Sequence, residues 1–149
     1  MSVQLTEQFG SVRVAPPKWF WFASGLGLIW NLIGVVAFVG QMTMDLSALS
    51  AAERAFHEST PVWATIAFAV AVSGGVLGCA ALLLQKSWAY PMLMICLAGI
   101  VMQISHSLFI GDGIEVFGPA GFVLPLLTFG IAVALAGLAH YSATSGWVG

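Results

Sequence analysis

The stretch VMQISHSLFI, residues 101–110, sets Gln103, Ser105, His106 and Ser107 inside an otherwise apolar run. Gln103 and His106 are three residues apart, so a helix presents their amide and imidazole on one face. An amide donates and accepts hydrogen bonds; an imidazole does the same, and also binds metals and carries protons. Asn31 and Gln41 add two amides from an earlier apolar run, on one stripe with Gly27, Gly34 and Phe38. Four such groups facing one space could orient a small polar molecule. They could equally bond one helix to the next, which is the ordinary work of Asn and Gln in membrane helices. His106 is an ionisable residue within a span, a functional hypothesis in its own right, and a neutral histidine also serves as a helix contact.

Other chemistry is less well supported. His57, Asp112 and Glu115 fall in connecting segments near the same mouth, and Met42 and Met44 form an MxM of the kind that suits copper(I). No two of these ligand types lie at a diagnostic spacing, so solvated loop charges and core methionines account for them. Bis-histidine haem ligation needs two histidines at one depth. His106 and His140 fall at opposite ends of their spans, about 25 Å apart along the membrane normal. Cys79 and Cys96 form no CxxC pair, and apolar burial makes them inert thiols. No Ser-His-Asp arrangement and no phosphate-cradling loop is present. No catalytic residue, metal ligand or cofactor is nominated.

The elements that must position these residues are legible from composition. Of 149 residues, 60% are hydrophobic and 7% charged, against about 25% charged in a soluble domain. The net charge of −2 and four scattered basic residues give no nucleic-acid surface. Four segments lack Asp, Glu, Lys and Arg: Trp19–Gln41, Pro61–Leu84, Trp88–Ile110 and Pro119–Tyr141. Each exceeds the 20 or so residues that cross a hydrocarbon core of about 30 Å. Lipid satisfies no backbone group, so each is predicted helical. The polar lead before Trp19 does not read as a cleaved signal peptide, because the apolar run after it is too long.

Arg13, Lys18 and Lys86 lie on one side of these spans and only Arg54 on the other. The positive-inside rule puts both termini and the Gln85–Ser87 turn in the cytoplasm. Trp19, Trp21, Trp88 and Tyr90 mark the inner interface and Trp63 the outer one. In the first outer connection, Ser50 and Glu53 make a capping box that predicts a short surface helix over about 50–59. The second outer connection, Gly111–Gly118, reads as a loop.

Small residues should line the inner faces. These are Ala71, Gly74, Gly78 and Ala81 in span two, Met92, Cys96 and Gly99 below Gln103 in span three, and Gly130 and Ala134 in span four. Gly74 and Gly78 form GxxxG and read as helix-packing positions. Pro125 should kink span four. Spans one and three both open on Lys-Trp or Trp with aromatics, and spans two and four on Pro, a weak parallel repeat.

The runs WNLIGVVAF (30–38), QMTM (41–44), LGCAALLLQKSWAYP (77–91), MQISHSLFI (102–110) and IEVFGPAGFVLP (114–125) resemble a largely uncharacterised family of small bacterial four-span membrane proteins, often labelled "sugar transporter". The resemblance runs from Lys18 to about His140. It implies four helices in a bacterial cytoplasmic membrane and directs attention to Asn31, Gln41, Gln103, His106, Glu115, Gly118 and Pro119.

The expectation is a single all-α domain over residues 1–149, an antiparallel four-helix membrane bundle with a short outer-face helix. Its function is to bind or transport a small molecule, without enzymatic chemistry, at an outward-facing pocket formed by Asn31, Gln41, Gln103, His106 and Glu115. The alternatives are an accessory or assembly subunit of a larger membrane complex, and a membrane metal or redox protein. Its partners are the lipid bilayer, a small-molecule ligand, and further copies or a larger complex. Four helices are few for a transport pathway, so transport would need a homo-oligomer, with Gly74 and Gly78 as the contact face.

Overall fold

A computed structural model describes residues 13–149; the polar lead read above as uncleaved lies mostly outside the described residues. Four long helices run α1 (Lys18–Thr43), α3 (Val62–Leu83), α4 (Ala89–Ser105) and α6 (Ala120–Thr144). They are antiparallel neighbours in chain order, and no strand occurs among the described residues. Each is long and apolar enough to cross a membrane. The chain is therefore a multi-pass membrane protein built as an all-α bundle. One end carries Arg13, the C-terminal tail and the Gln85–Ser87 turn, and is here the terminal end. The other carries the two longer connections and is the loop end.

Each connection at the loop end holds a short helix. α2 (Ala51–Ser59) begins at the expected capping box: Ser50 Oγ accepts from the Glu53 N–H, and Glu53 accepts from the Ser50 N–H at 3.0 Å. Arg54 ties α2 to the preceding 3₁₀ turn (Leu46–Ala48), donating to the Leu46 and Ser47 carbonyls. The second connection is not the featureless loop expected. It forms a helical turn, α5 (Gly113–Phe117). Its backbone packs so closely on α6 that a Cβ at Gly121 would overlap the Gly113 carbonyl. Five residues, Gly-Ile-Glu-Val-Phe, give no periodicity from which to read such a turn.

α3 and α4 share the largest interface, flanked by α1 on α3 and α6 on α4. Glycines allow it. A Cβ at Gly74 would stand 3.1 Å from the Cys96 nitrogen, and one at Gly99 would stand 2.8 Å from the Ala67 carbonyl oxygen. Gly78 lies against Leu93. The GxxxG face is thus consumed inside the chain, and the expected dimer contact through Gly74 and Gly78 is corrected. A helix pair joined by a five-residue turn finds its own partner before a second copy can.

Span four is also corrected. Gly130 and Ala134 are exposed, and α6 buries Ala132, Leu135, Ala136, Ala139 and Ser142 instead. A helix apolar all round carries no moment to fix its rotation. The packed core lies toward the terminal end. There Phe20, Leu82, Leu93, Leu135 and Ala139 meet the tail, which folds back so that Trp147 stacks edge-on against Trp19, Phe20 and Tyr141. Gly149 donates to the Gln85 carbonyl and Val14 to Gly146. The loop end is less filled, and the bundle's cavities lie there.

Candidate functional site

α4 ends in a π-turn, His106–Ile110, closed by the Gly111 N–H on the His106 carbonyl at 2.7 Å. Such single wide turns are often found at functional sites. The turn delivers His106 into the bundle, where it is 4% exposed. Its ring meets Trp63 edge-on at 5.5 Å and Phe56 at 6.3 Å. Phe56 in turn meets Phe117 at 5.2 Å, so α2 and α5 join over the histidine. These aromatics fix the imidazole by packing, without hydrogen bonds.

Beside His106 lies a pocket of about 370 Å³. Gln41, Gln103 and Ser107 line it, with Phe68 and Pro125 from the adjoining spans. α2 contributes Phe56 and His57, followed by Thr60, and α5 contributes Gly113 and Phe117. Together these two helices form a roof. Among the described residues the side chains of Gln41, Gln103 and His106 make no hydrogen bond, while nearby hydroxyls bond back to their own helices, as Ser105 does to Val101 and Thr60 to Phe56. Two amides and an imidazole therefore face the same pocket with their bonding capacity unspent. Pro125 adds to this. It has no N–H, so the carbonyl of Gly121, another lining residue, lacks its i+4 donor.

A second cavity of about 450 Å³ adjoins the first. Phe68, Gln103, Ser107, Leu124 and Pro125 line both. The second is walled mainly by apolar side chains of all four spans, and Asn31 lies in its wall.

The expected site residues divide. Gln41, Gln103 and His106 come together. Asn31 does not join Gln41 and His106; it lines the second cavity, which Gln103 also lines, and its Nδ2 donates to the Gly27 carbonyl at 2.8 Å and to Cys79 Sγ at 3.7 Å. Gly75 makes room for it, since a Cβ there would overlap Asn31 Oδ1. Asn31 thus makes the structural bonds that burial demands. Glu115 is a correction: it is exposed on α5 and lines neither cavity. The chemistry is consistent, because an unpaired carboxylate is costly to bury and turns to water. Gly118 adopts a left-handed φ of 61°, which explains a glycine at the hinge into α6. His57 does approach the mouth.

Sequence reasoning singled out Ser107 in the polar stretch without nominating it for the site, and passed over Phe56, Phe117, Thr60 and Phe68 as site residues. Phe56 had a signal, since it falls on the apolar side of a capped surface helix. The others depend on helix rotations that a uniformly apolar sequence does not encode. No cluster of three or more His, Cys, Asp or Glu converges among the described residues.

Outside the membrane, two carboxyls are held below their ordinary range. Hydrogen bonds from the Ser50 side chain and backbone lower Glu53, and bonds from the Ser47 side chain and backbone lower Asp45. No protein-family model, curated protein or solved structure matches this chain.

Proposed function

We propose that this protein binds a small molecule at the loop end of its bundle, in the pocket bounded by Gln41, Gln103 and His106 and roofed by α2 and α5. One observation carries the reading: a nearly fully buried imidazole, immobilised by aromatic packing, faces a pocket with no described hydrogen-bond partner. Buried polar groups normally find a partner. A ligand with complementary donors and acceptors would supply it, while the apolar wall takes the rest.

The reading favours binding over conduction. The cavities occupy the loop half, and the terminal half is filled by Phe20, Leu82, Leu93, Leu135 and Trp147. Among the described residues, none of the side chains packed in that terminal half lines either cavity. The membrane is, in this reading, a bacterial inner membrane with both termini cytoplasmic. Arg13, Lys18 and Lys86 at the terminal end support that orientation. Arg54 at the loop end is occupied with backbone carbonyls.

The test is to purify the protein from its own membrane and release what it holds by denaturation, with mass spectrometry as the readout. A stoichiometric small molecule, absent from folded His106→Ala, is expected. Its equal retention in that variant would contradict the reading.

A second reading has its own observation. Gly130, Ala134 and Gly137 leave a smooth exposed stripe on α6, with open space where Cβ atoms would stand at both glycines. Such stripes admit close helix contacts, so the chain would be an accessory subunit of a larger membrane complex. A stoichiometric protein partner lost in Gly137→Leu would favour it.

A further inference from the structure

The wall of the bundle has a gap on one side. α1 approaches α6 and the tail that follows it toward the terminal end, where Gly27 lies against Leu135 of α6 and Phe20 against Trp147 of the tail. Over the loop half the second cavity separates them, with Ile33 and Ala37 of α1 on one lip and Leu124 and Thr128 of α6 on the other. Ile33 and Leu124 are each more than half exposed, at depths where the surroundings are lipid. The cavity is therefore a slot open sideways to the bilayer and continuous with the pocket at His106.

Its depth matches one leaflet. Asn31 lies near the middle of α1 and lines the deep part of the slot. Gln41, ten residues on, lines the pocket at the loop end. Ten helical residues rise about 15 Å, half of a hydrocarbon core of about 30 Å. The lining also selects by charge. Among the described residues no Asp, Glu, Lys or Arg lines either cavity, so a charged head would lose its hydration without gaining a carboxylate, ammonium or guanidinium partner. The Gln41 and Gln103 amides instead offer uncharged donors and acceptors, beside the His106 imidazole.

We infer that pocket and slot together hold one neutral single-chain amphiphile drawn sideways from the adjoining leaflet. Its hydrogen-bonding head lies at Gln103 and His106, and its apolar chain lies between α1 and α6. This rests on the small-molecule reading above and specifies its ligand class and route of entry.

The full-length protein in phospholipid nanodiscs would be irradiated with a monoacylglycerol carrying a diazirine on its chain. Labelling is expected on Ile33, Ala37, Leu124 and Thr128. It should be competed by unlabelled monoolein and not by free glycerol. A lysophosphatidylglycerol probe with the same chain should label at least about tenfold less. Ala37→Phe, at an exposed position, should cut the competed labelling about tenfold, because its ring takes up space the chain needs between α1 and α6 and overpacking is worth a factor of this order.

Uncompeted labelling spread evenly over lipid-facing residues would overturn the inference, as would equal labelling by the anionic probe. If a soluble small molecule were then still lost from His106→Ala, the pocket reading would stand and only the lipid ligand would fall. If nothing were lost, both would fall. Should Ala37→Phe fail to fold, the competition and head-group comparisons on the wild type decide alone.

Discussion

His106 and Ser24 are both buried, yet they are expected to behave differently when changed. Ser24 Oγ is fully enclosed in the packed half and has no hydrogen-bond partner among the described residues. An enclosed orphan costs folding free energy and offers nothing to a ligand. Ser24→Ala should therefore raise Tm, by an amount corresponding to as much as about 1 kcal/mol, with ligand retention unchanged. A lower Tm would mean that the hydroxyl has a partner. His106 faces a cavity, so its unspent bonds are available to whatever enters. His106→Ala should empty the pocket while the purified variant remains helical by circular dichroism. Glu115→Gln, by contrast, should leave ligand content unchanged, because the carboxylate lies outside both cavities.

At the scale of the elements, the α3–α4 pair holds the bundle by backbone proximity. Gly99→Val would press a side chain onto the Ala67 carbonyl and the Ala71 nitrogen, neither of which can rotate away. Overpacking of this kind costs about 1–3 kcal/mol, and a lowered Tm by thermal unfolding in detergent would show it. Gly137→Val, in open space, should cost far less. The roof helix α2 should be acid-sensitive. Its Glu53 carboxyl is lowered on folding, so its capping contribution is complete above the ordinary glutamate range of about 4.3. That contribution is lost as pH falls through the lower folded value. Divided by the intrinsic rate at each pH, amide exchange over Ala51–Ser59 should quicken from pH 5 to pH 3, and Glu53→Gln should flatten most of that response. Asp45 acts with the same sign on the adjoining turn.

The span boundaries and the capping box were legible because charge depletion and a Ser-x-x-Glu pattern are local signals. The inner faces of α1, α3 and α4 were legible too, since polar and small residues mark them. α6 was not: it carries glycines on its exposed side, and Pro125 with Ala132 on its inner side. Nothing in one apolar helix says which of its small residues meets a neighbour. The same lack of rotational information concealed the roof contacts of Phe117 and the parting of Asn31 from His106.

Taken whole, the molecule is asymmetric along the membrane normal. The terminal half is a packed floor, sealed by a tail that buries Trp147 and Val148. Trp147→Ala should cost about 3–5 kcal/mol, as large aromatic truncations do, and leave the pocket residues in place. The loop half trades packing for space, with two joined cavities beneath a roof of two short helices. That division of labour makes the occupant of the open half the central question. The most direct measurement is a high-resolution structure of the protein taken from its own membrane into lipid nanodiscs. Non-protein density within hydrogen-bond reach of His106 and Gln103 is the predicted result. A closed, dry interior, with those two side chains bonded to neighbouring helices, would contradict the account and leave the polar cluster as interhelical glue.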